Sequence, residues 1–339
     1  MAVLVTGGAG YIGSHCVAAL LARGERVVVV DNLSQGHRAA VLGGTLCVGD
    51  LRDASFLDDV FRGHDVESVV HFAAHSLVGE SMRDPAKYYH NNVYGTLCLL
   101  EAMRRHGVGR IVFSSTAAVY GEPERVPIDE GDRTETVPIP ESAATRPTNA
   151  YGATKLAIEE MMRWFDAAYG IRYISLRYFN AAGAHEGGAI GEDHNPETHL
   201  VPIVLAVALG KRPHVEIYGD DYPTADGTCV RDYIHVDDLA EAHLLALDRL
   251  RAGAGSGVYN LGTGRGYSVR EIIETARRVT GHPIPAVVTA RRPGDPAVLI
   301  ASSEKARREL GWRPKRESVE DVVRSAWRWH RSHPDGYGD

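Results

Sequence analysis

Seven residues near the N-terminus, Gly7-Gly-Ala-Gly-Tyr-Ile-Gly13, constrain the fold more than any other stretch of the chain. The apolar run Ala2-Val-Leu-Val-Thr6 leads into them, and residues 14–23, which carry helical periodicity and stop at Gly24, lead away. Strand, glycine turn and helix in direct succession form the opening of a dinucleotide site. Gly7 permits the tight turn, Gly10 lets backbone approach a pyrophosphate, and Gly13 lets the helix pack close to the strand. Tyr11 and Ile12, inside the turn, join the candidate cofactor residues.

The next run, residues 26–31, is continuously β-branched over Val27 to Val30 and ends in a carboxylate. Asp31 lies 18 residues beyond Gly13, where an acidic side chain can accept hydrogen bonds from an adenosine ribose. Its charge repels a 2'-phosphate, which favours NAD over NADP. Capping of the following turn is a second, compatible use. Strands follow at 45–50, 68–74, 110–116 and 172–177, separated by helices at 55–61, at 91–105 and from Tyr151 onward. This alternation predicts an α/β fold with a doubly wound parallel sheet. Ligands of such sheets bind beyond the strand carboxyl ends. Thr6, Asp31, Asp50 and Leu51, Ala73 and Ala74, Ser115 and Thr116, and Tyr178 to Asn180 all fall there.

Tyr151-Gly-Ala-Thr-Lys155 opens an amphipathic helix, and a spacing of four puts Tyr151 and Lys155 on one face. A phenol has an ordinary pKa of about 10, so half ionisation at neutral pH requires about 4 kcal/mol of preferential stabilisation of phenolate. A nearby ammonium, an oxidised nicotinamide ring and a helix N-terminus can supply it. The phenolate is then a general base toward a substrate hydroxyl. A hydroxyl among Ser114, Ser115 and Thr116 can bond the reacting oxygen and pass its proton on.

The chain has 339 residues, enough for two domains. A net charge of −7 argues against a nucleic-acid partner, while leaving room for a local basic pocket around a diphosphate. Cys16, Cys47, Cys98 and Cys229 are scattered, which suits buried thiols in a reducing compartment and offers no zinc spacing. The histidines and acids His185, Glu186, Asp193 and His194 lack the H-x-x-x-H spacing of a helical metal site, so no metal is expected. No apolar run reaches the ~20 residues of a membrane span, and the N-terminus has no secretory signal pattern. The expectation is a cytoplasmic protein without a membrane partner.

Beyond Ala181 the regular alternation ends. Residues 185–196 form a polar, glycine-rich loop, helices are expected at 203–209, 236–249, 269–280, 303–310 and 319–330, and short strands at 215–218, 230–236 and 258–261. Residues 1–180 thus read as the NAD-binding domain, with 228–242 packing back onto it, and 181–339 as a smaller α/β lobe that clamps a nucleotide.

Taken together, these motifs resemble the extended short-chain dehydrogenases/reductases and, among them, the UDP-glucose 4-epimerases. The resemblance runs through Val5-Thr-Gly-Gly-Ala-Gly-Tyr-Ile-Gly-Ser-His15, Asp31-Asn-Leu33, Val78-Gly-Glu-Ser81, Asn91-Asn-Val93, Phe113-Ser-Ser-Thr116, Val119-Tyr-Gly121, Tyr151-Gly-Ala-Thr-Lys155 and Leu176-Arg-Tyr-Phe-Asn180. Its most specific parts are Gly219-Asp-Asp-Tyr-Pro-Thr-Ala-Asp-Gly-Thr228 and Val230-Arg-Asp-Tyr-Ile-His-Val-Asp-Asp-Leu239. The resemblance implies a homodimer that holds NAD tightly and inverts the C4 hydroxyl of a UDP-hexose through a 4-keto sugar. Tyr151 would be the base, Lys155 would hold the nicotinamide ribose and depress the phenol pKa, and Thr116 would bond the C4 oxygen. Asn32, Phe72, Asn91, Ser114 and Tyr178 join the implied cofactor contacts. Ser76, Asn180, His199, Leu200, Tyr218, Arg231, Arg292 and Asp295 join the implied substrate contacts.

Three positions depart from the family's usual pattern. Thr116 replaces a common Ser, His199 replaces a common Asn, and Leu299 stands where size separates acceptance of plain hexoses from that of N-acetylated ones. Rival readings are another NAD-dependent UDP-sugar epimerase, acting on N-acetylhexosamine or glucuronate, and a non-catalytic NAD-binding sensor. A 4,6-dehydratase would need an Asp-Glu pair after the relay residue, and Ala117-Ala118 stand there.

Overall fold

The computed structural model describes residues 1–122, 126–127, 134–135, 138–292 and 295–338. Its centre is a seven-stranded parallel sheet built from β1 (Ala2–Thr6), β2 (Val27–Asp31), β3 (Thr45–Val48), β4 (Val66–His71), β5 (Arg110–Ser114), β6 (Arg172–Tyr178) and β7 (Gly257–Leu261). The spatial order is β7-β6-β5-β4-β1-β2-β3, and every pair is parallel. The winding reverses between β1 and β4, which is the crevice where doubly wound sheets hold ligands.

Alternation within the strands explains why the runs are continuously apolar. Side chains of a strand point to opposite faces in turn, and both faces here are covered. Val3, Val5, Val27, Val29, Val70 and Val112 enter one core layer. Their neighbours Ala2, Leu4, Val28, Val30, Val69 and Ile111 enter the other. Each such fully buried side chain contributes roughly 1.5–3 kcal/mol of hydrophobic stabilisation before conformational entropy is set against it. The second layer is closed by α2 (Ala54–Gly63), α3 (Gly95–Arg105) and α4 (Ala150–Tyr169). The first is closed by α1 (Tyr11–Ala22) together with a helix from far along the chain, α6 (Val236–Arg251).

That return corrects the sequence-based division of the chain. β7 lies inside the stretch read as the smaller lobe, yet it pairs with β6 over five residues, from Gly257 against Ile174 to Leu261 against Tyr178. Ala306, Leu310 and the fully buried Trp312 join the same core layer. The physical reason is coverage: α1 spans only part of its face, and the remainder of β5 and β6 stays wet unless later residues cover it. Within 228–242 the helical part packs back, whereas the strand Val230–His235 pairs with Asn180–Ala182, Gly266–Ser268 and Val298–Leu299 instead. Several boundaries also move. The strand expected at 68–74 ends at His71, and the helix expected from residue 91 is a wide π-type turn until Gly95.

The remaining elements form a second core. α5 (Leu200–Ala208), α7 (Val269–Thr280) and α8 (Val319–Ser332) pack through Val204, Leu205, Ile272, Ile273, Val322 and Val323. Ser268 and Glu271 cap α7 reciprocally, which defines where that helix starts. Among the described residues, no helix is long and apolar enough to cross a membrane.

Candidate active site

The glycine turn is set by sterics. Gly7 has φ of +72°, and a Cβ there would lie 2.5 Å from the backbone nitrogen of Ala73. At Gly13 a Cβ would lie 2.1 Å from the Gly7 carbonyl oxygen, so the first turn of α1 is in contact with the glycine loop itself. At Gly10 only that carbonyl comes within 4 Å, at 3.4 Å, which leaves its face clear for a ligand to approach. Gly13→Ala should therefore strain the turn by about 1–3 kcal/mol. The expected result is a lower urea midpoint and less NAD carried through purification; an unchanged midpoint with full cofactor content would refute the steric reading.

Asp31 closes β2 with its carboxylate buried. It accepts from the backbone N–H of Ala9 at 3.0 Å and of Leu33 at 2.9 Å. Burial raises its pKa, and those two donors oppose the rise. The turn-capping use is thus real, and each oxygen keeps a further lone pair for a ribose hydroxyl. Asn32 donates to Asp50 at 3.2 Å, while the Arg52 guanidinium grips Asp50 and holds its carboxyl well below the usual range. Leu51 is buried, and Ala73 donates its N–H to the Thr6 carbonyl beside the crevice. Ala74 is half-buried and Ser76 exposed on the connection leaving β4. Phe72 packs against His243. Ile12 packs on the first core layer, and the Tyr11 hydroxyl is committed to the Gly183 carbonyl at 2.7 Å, so Tyr11 offers a ligand its backbone rather than its phenol. These features fit a bound NAD: an open glycine face, a helix start and a carboxylate at adjoining strand ends.

The second constellation stands beyond β5. Thr116 begins the short turn Ala117–Val119, where its hydroxyl accepts from the Ala118 N–H at 3.1 Å. α4 starts against that turn because Asn149 caps it, accepting from the Gly152 N–H at 2.8 Å. Gly152 permits the contact, since a Cβ there would meet the Ala118 carbonyl oxygen at 2.5 Å. Ser81 Oγ accepts the Tyr151 N–H at 3.1 Å. The outcome is that the turn carrying Thr116 packs against the first turn of α4, which carries Tyr151. Lys155 follows one turn later, 2% exposed, donating to the Ser114 carbonyl at 2.8 Å with its Nζ 5.8 Å from the Tyr151 ring centre. Ser114 Oγ also hydrogen-bonds the buried Tyr178 hydroxyl.

Burial governs the charges. It pushes the Tyr151 phenol up to about 12, with the Thr116 side chain opposing, and it lowers Lys155 to about 7, with Glu159 opposing. Sequence reasoning missed Glu159 and its partner. Glu159, one further turn along α4, pairs with Arg177 of β6, the two side chains 5% and 7% exposed. Ser115 donates to Glu159 at 2.5 Å, and Arg177 also donates to Tyr120 at 2.9 Å. Arg177, a charge at the carboxyl end of the expected strand 172–177, was the available signal. Asn92 was missed as well: it bonds both backbone groups of His75 and the Thr154 hydroxyl, with Asn91 donating to it at 3.0 Å.

The expected substrate residues fall into three groups. Arg231 is ion-paired to Asp295 and lies in register with Leu299, which packs near Val119, Tyr120 and Phe179. The Arg292 guanidinium sits 3.8 Å from the Tyr218 ring centre. Asn180 starts a short strand beside Tyr233, and His199 and Leu200 lead into α5, with His199 drawn toward Glu192 and Glu197.

The family model described as "NAD dependent epimerase/dehydratase family" matches residues 3–262. The chain belongs to that family. NAD dependence accordingly accompanies the glycine turn and Asp31. This family member is 59% identical to the UDP-glucose 4-epimerase of Halalkalibacterium halodurans over 99% of this chain and 98% of the relative. A crystal structure of a UDP-glucose 4-epimerase matches it with a TM-score of 0.94 at 54% identity, covering 99% of both chains. The UDP-glucose 4-epimerase of Bifidobacterium longum, solved in complex with NAD+ and UDP, matches with a TM-score of 0.90 at 41% identity over 99% of this chain and all of that one.

Proposed function

We propose that this family member interconverts UDP-glucose and UDP-galactose by inversion at C4, with Tyr151 as the general base. The observation that carries the assignment is Lys155, held by the Ser114 carbonyl at 2.8 Å with its Nζ 5.8 Å from the Tyr151 ring centre, beyond β5 where Thr116 opens the facing turn. NAD, when bound, supplies the hydride acceptor and donor. Tyr151 takes the C4 hydroxyl proton, Thr116 holds that oxygen in line, and Lys155 adds positive charge beneath the phenol. The 4-keto sugar then turns over while its diphosphate stays fixed, so that the hydride would return to the opposite face of C4 while Tyr151 gives its proton back to the C4 oxygen. Arg231 and Arg292 provide the planar donor forks a diphosphate takes, and Asp295 accepts from a ribose hydroxyl. Uracil stacks on the face of Tyr218 that Arg292 leaves open.

Two supporting absences are chemical. Ala117-Ala118 offer neither the acid nor the base of a dehydratase, and a sensor has no use for the retained Tyr-Lys pair. The working enzyme is a homodimer in the cytoplasm. Purified protein given UDP-galactose and no added cofactor should form UDP-glucose, read by anion-exchange chromatography. Absence of product, with NAD supplied as well, would overturn the assignment.

A further inference from the structure

We propose that Glu192, His194, Glu197 and His199 bind one divalent transition-metal ion of the zinc class as a structural centre. The proposal is independent of the epimerase reading. Each of the four offers a ligand atom to a set whose members all lie within 4.8 Å of one another. Nδ1 of His194 stands 3.3 Å from Glu192 Oε1 and 3.7 Å from Glu197 Oε2, and Nδ1 of His199 stands 2.9 Å from Glu192 Oε1 and 3.1 Å from Glu197 Oε1. A tetrahedral ion with bonds of about 2.0–2.2 Å sets its ligands roughly 3.3–3.6 Å apart, which the two His194 separations approximate, while Nδ1 of His199 would exchange its hydrogen bond to Glu197 Oε1 for the ion.

Hydrogen bonding among the four leaves something over. Nδ1 of His194 is buried and makes no hydrogen bond, although Glu192 is only 3.3 Å away. That approach is close enough for attraction but misaligned for N–H···O, whereas two ligands aimed at a shared third atom need no such alignment. Glu197 is oriented from outside: its Oε1 accepts the N–H groups of Thr198 and His199, each at 2.7 Å, which turns Oε2 toward His194. Fixing of a ligand carboxylate by outer hydrogen bonds is a regular feature of metal centres. Two carboxylates neutralise a divalent ion, and two imidazoles complete a nitrogen-oxygen set that suits zinc and its neighbours better than calcium or magnesium. Glu192 is 4% exposed, so its charge has little water to fall back on.

The location gives the ion a purpose. Residues 192–199 join the smaller lobe to α5, whose first residues are the expected substrate contacts, and the His194 ring meets the edge of Tyr11 at 6.2 Å. An ion there pins the substrate segment beside the first turn of α1. The expectation of no metal rested on the absence of a helical H-x-x-x-H. That rule does not apply to a loop that doubles back on itself.

The full-length protein, exchanged into metal-free buffer, should retain one equivalent of zinc per chain by elemental analysis. After stripping with a chelator it should unfold at lower temperature and regain the lost stability on titration with one equivalent of ZnCl2. CoCl2 in its place should give the strong visible bands of a tetrahedral site. His194→Gln and Glu197→Gln should weaken Zn2+ binding by more than the roughly 10–100-fold lost with an outer-sphere partner. His199→Asn, which introduces the residue common in the family, is the second variant should either of those fail to fold, and it should weaken binding similarly. Stripped, folded wild-type protein that takes up neither ion, or uptake undiminished in the variants, would overturn the proposal.

Discussion

Tyr151→Phe should lower turnover of UDP-galactose by about 10²–10⁴-fold, the range expected for loss of a general base, and leave the dissociation constant for UDP unchanged. The ring keeps its packing, because only the oxygen is removed. The Thr116 hydroxyl keeps its bond to the Ala118 N–H at 3.1 Å, so the turn that presents it has no reason to move. Arg231, Arg292 and Tyr218, which the proposal assigns to UDP, belong to other elements. A fall in kcat with constant UDP affinity therefore separates a lost proton acceptor from a disturbed site. Substantial residual turnover would mean that another group takes the proton.

The same substitution bears on where the charge in this site comes from. With the phenol pushed up to about 12 and Lys155 lowered to about 7, the chain by itself places the proton on Tyr151 at neutral pH. Bringing the phenol down to 7 takes about 7 kcal/mol, more than the ~4 kcal/mol counted from an unperturbed tyrosine. Burial also weakens the charge of Lys155, which therefore cannot supply all of it. The remainder has to come from the positive ring of oxidised NAD and from the N-terminus of α4. Tyr151 should accordingly titrate at lower pH in the oxidised holoenzyme than in the reduced one, seen as a phenolate absorbance that Tyr151→Phe abolishes. The linkage is useful. A base that is ionised only when the hydride acceptor is ready does not strip protons idly.

Legibility in the sequence followed how local each constraint is. The glycine turn could be read because Gly7 and Gly13 answer to contacts within a few residues or across one strand. β1 and β2 could be read because a buried parallel strand demands an unbroken apolar run, β3 to β6 because their short apolar stretches alternate with helices, and Tyr151 and Lys155 because helical spacing alone puts them on one face. β7 was recognisable as a strand but not as a member of the main sheet: its partner β6 lies 83 residues earlier along the register, at Gly257 against Ile174, and nothing within Gly257–Leu261 names it. Glu159 and Arg177 were hidden for a related reason. Each looks like an ordinary surface charge until the fold lays α4 across β6. The 192–199 loop defeated spacing rules because its residues converge through a turn, not a helix. Elements fixed by neighbours in the chain were thus available, and those fixed by tertiary closure were not.

Glu159→Ala should destabilise the chain by about 3–5 kcal/mol, measured by urea unfolding. The cost comes from what remains. Arg177 is 6% exposed and would keep its charge with only the Tyr120 hydroxyl, at 2.9 Å, to receive it, while Ser115 loses its acceptor. An exposed pair such as Arg324–Glu320 gives the contrast, since cutting it should cost at most about 1 kcal/mol. Removing both charges together, in Glu159→Leu with Arg177→Met, should recover much of the loss, because no charge is left stranded. Turnover should not recover with it. Glu159 is the group that opposes the lowering of Lys155, so in both variants the lysine loses charge at neutral pH and the phenol loses its nearest cation. Stability restored while kcat stays depressed would identify Glu159 as positioning charge beneath the base; a single substitution costing under about 1 kcal/mol would show the pair to be far better hydrated than its burial implies.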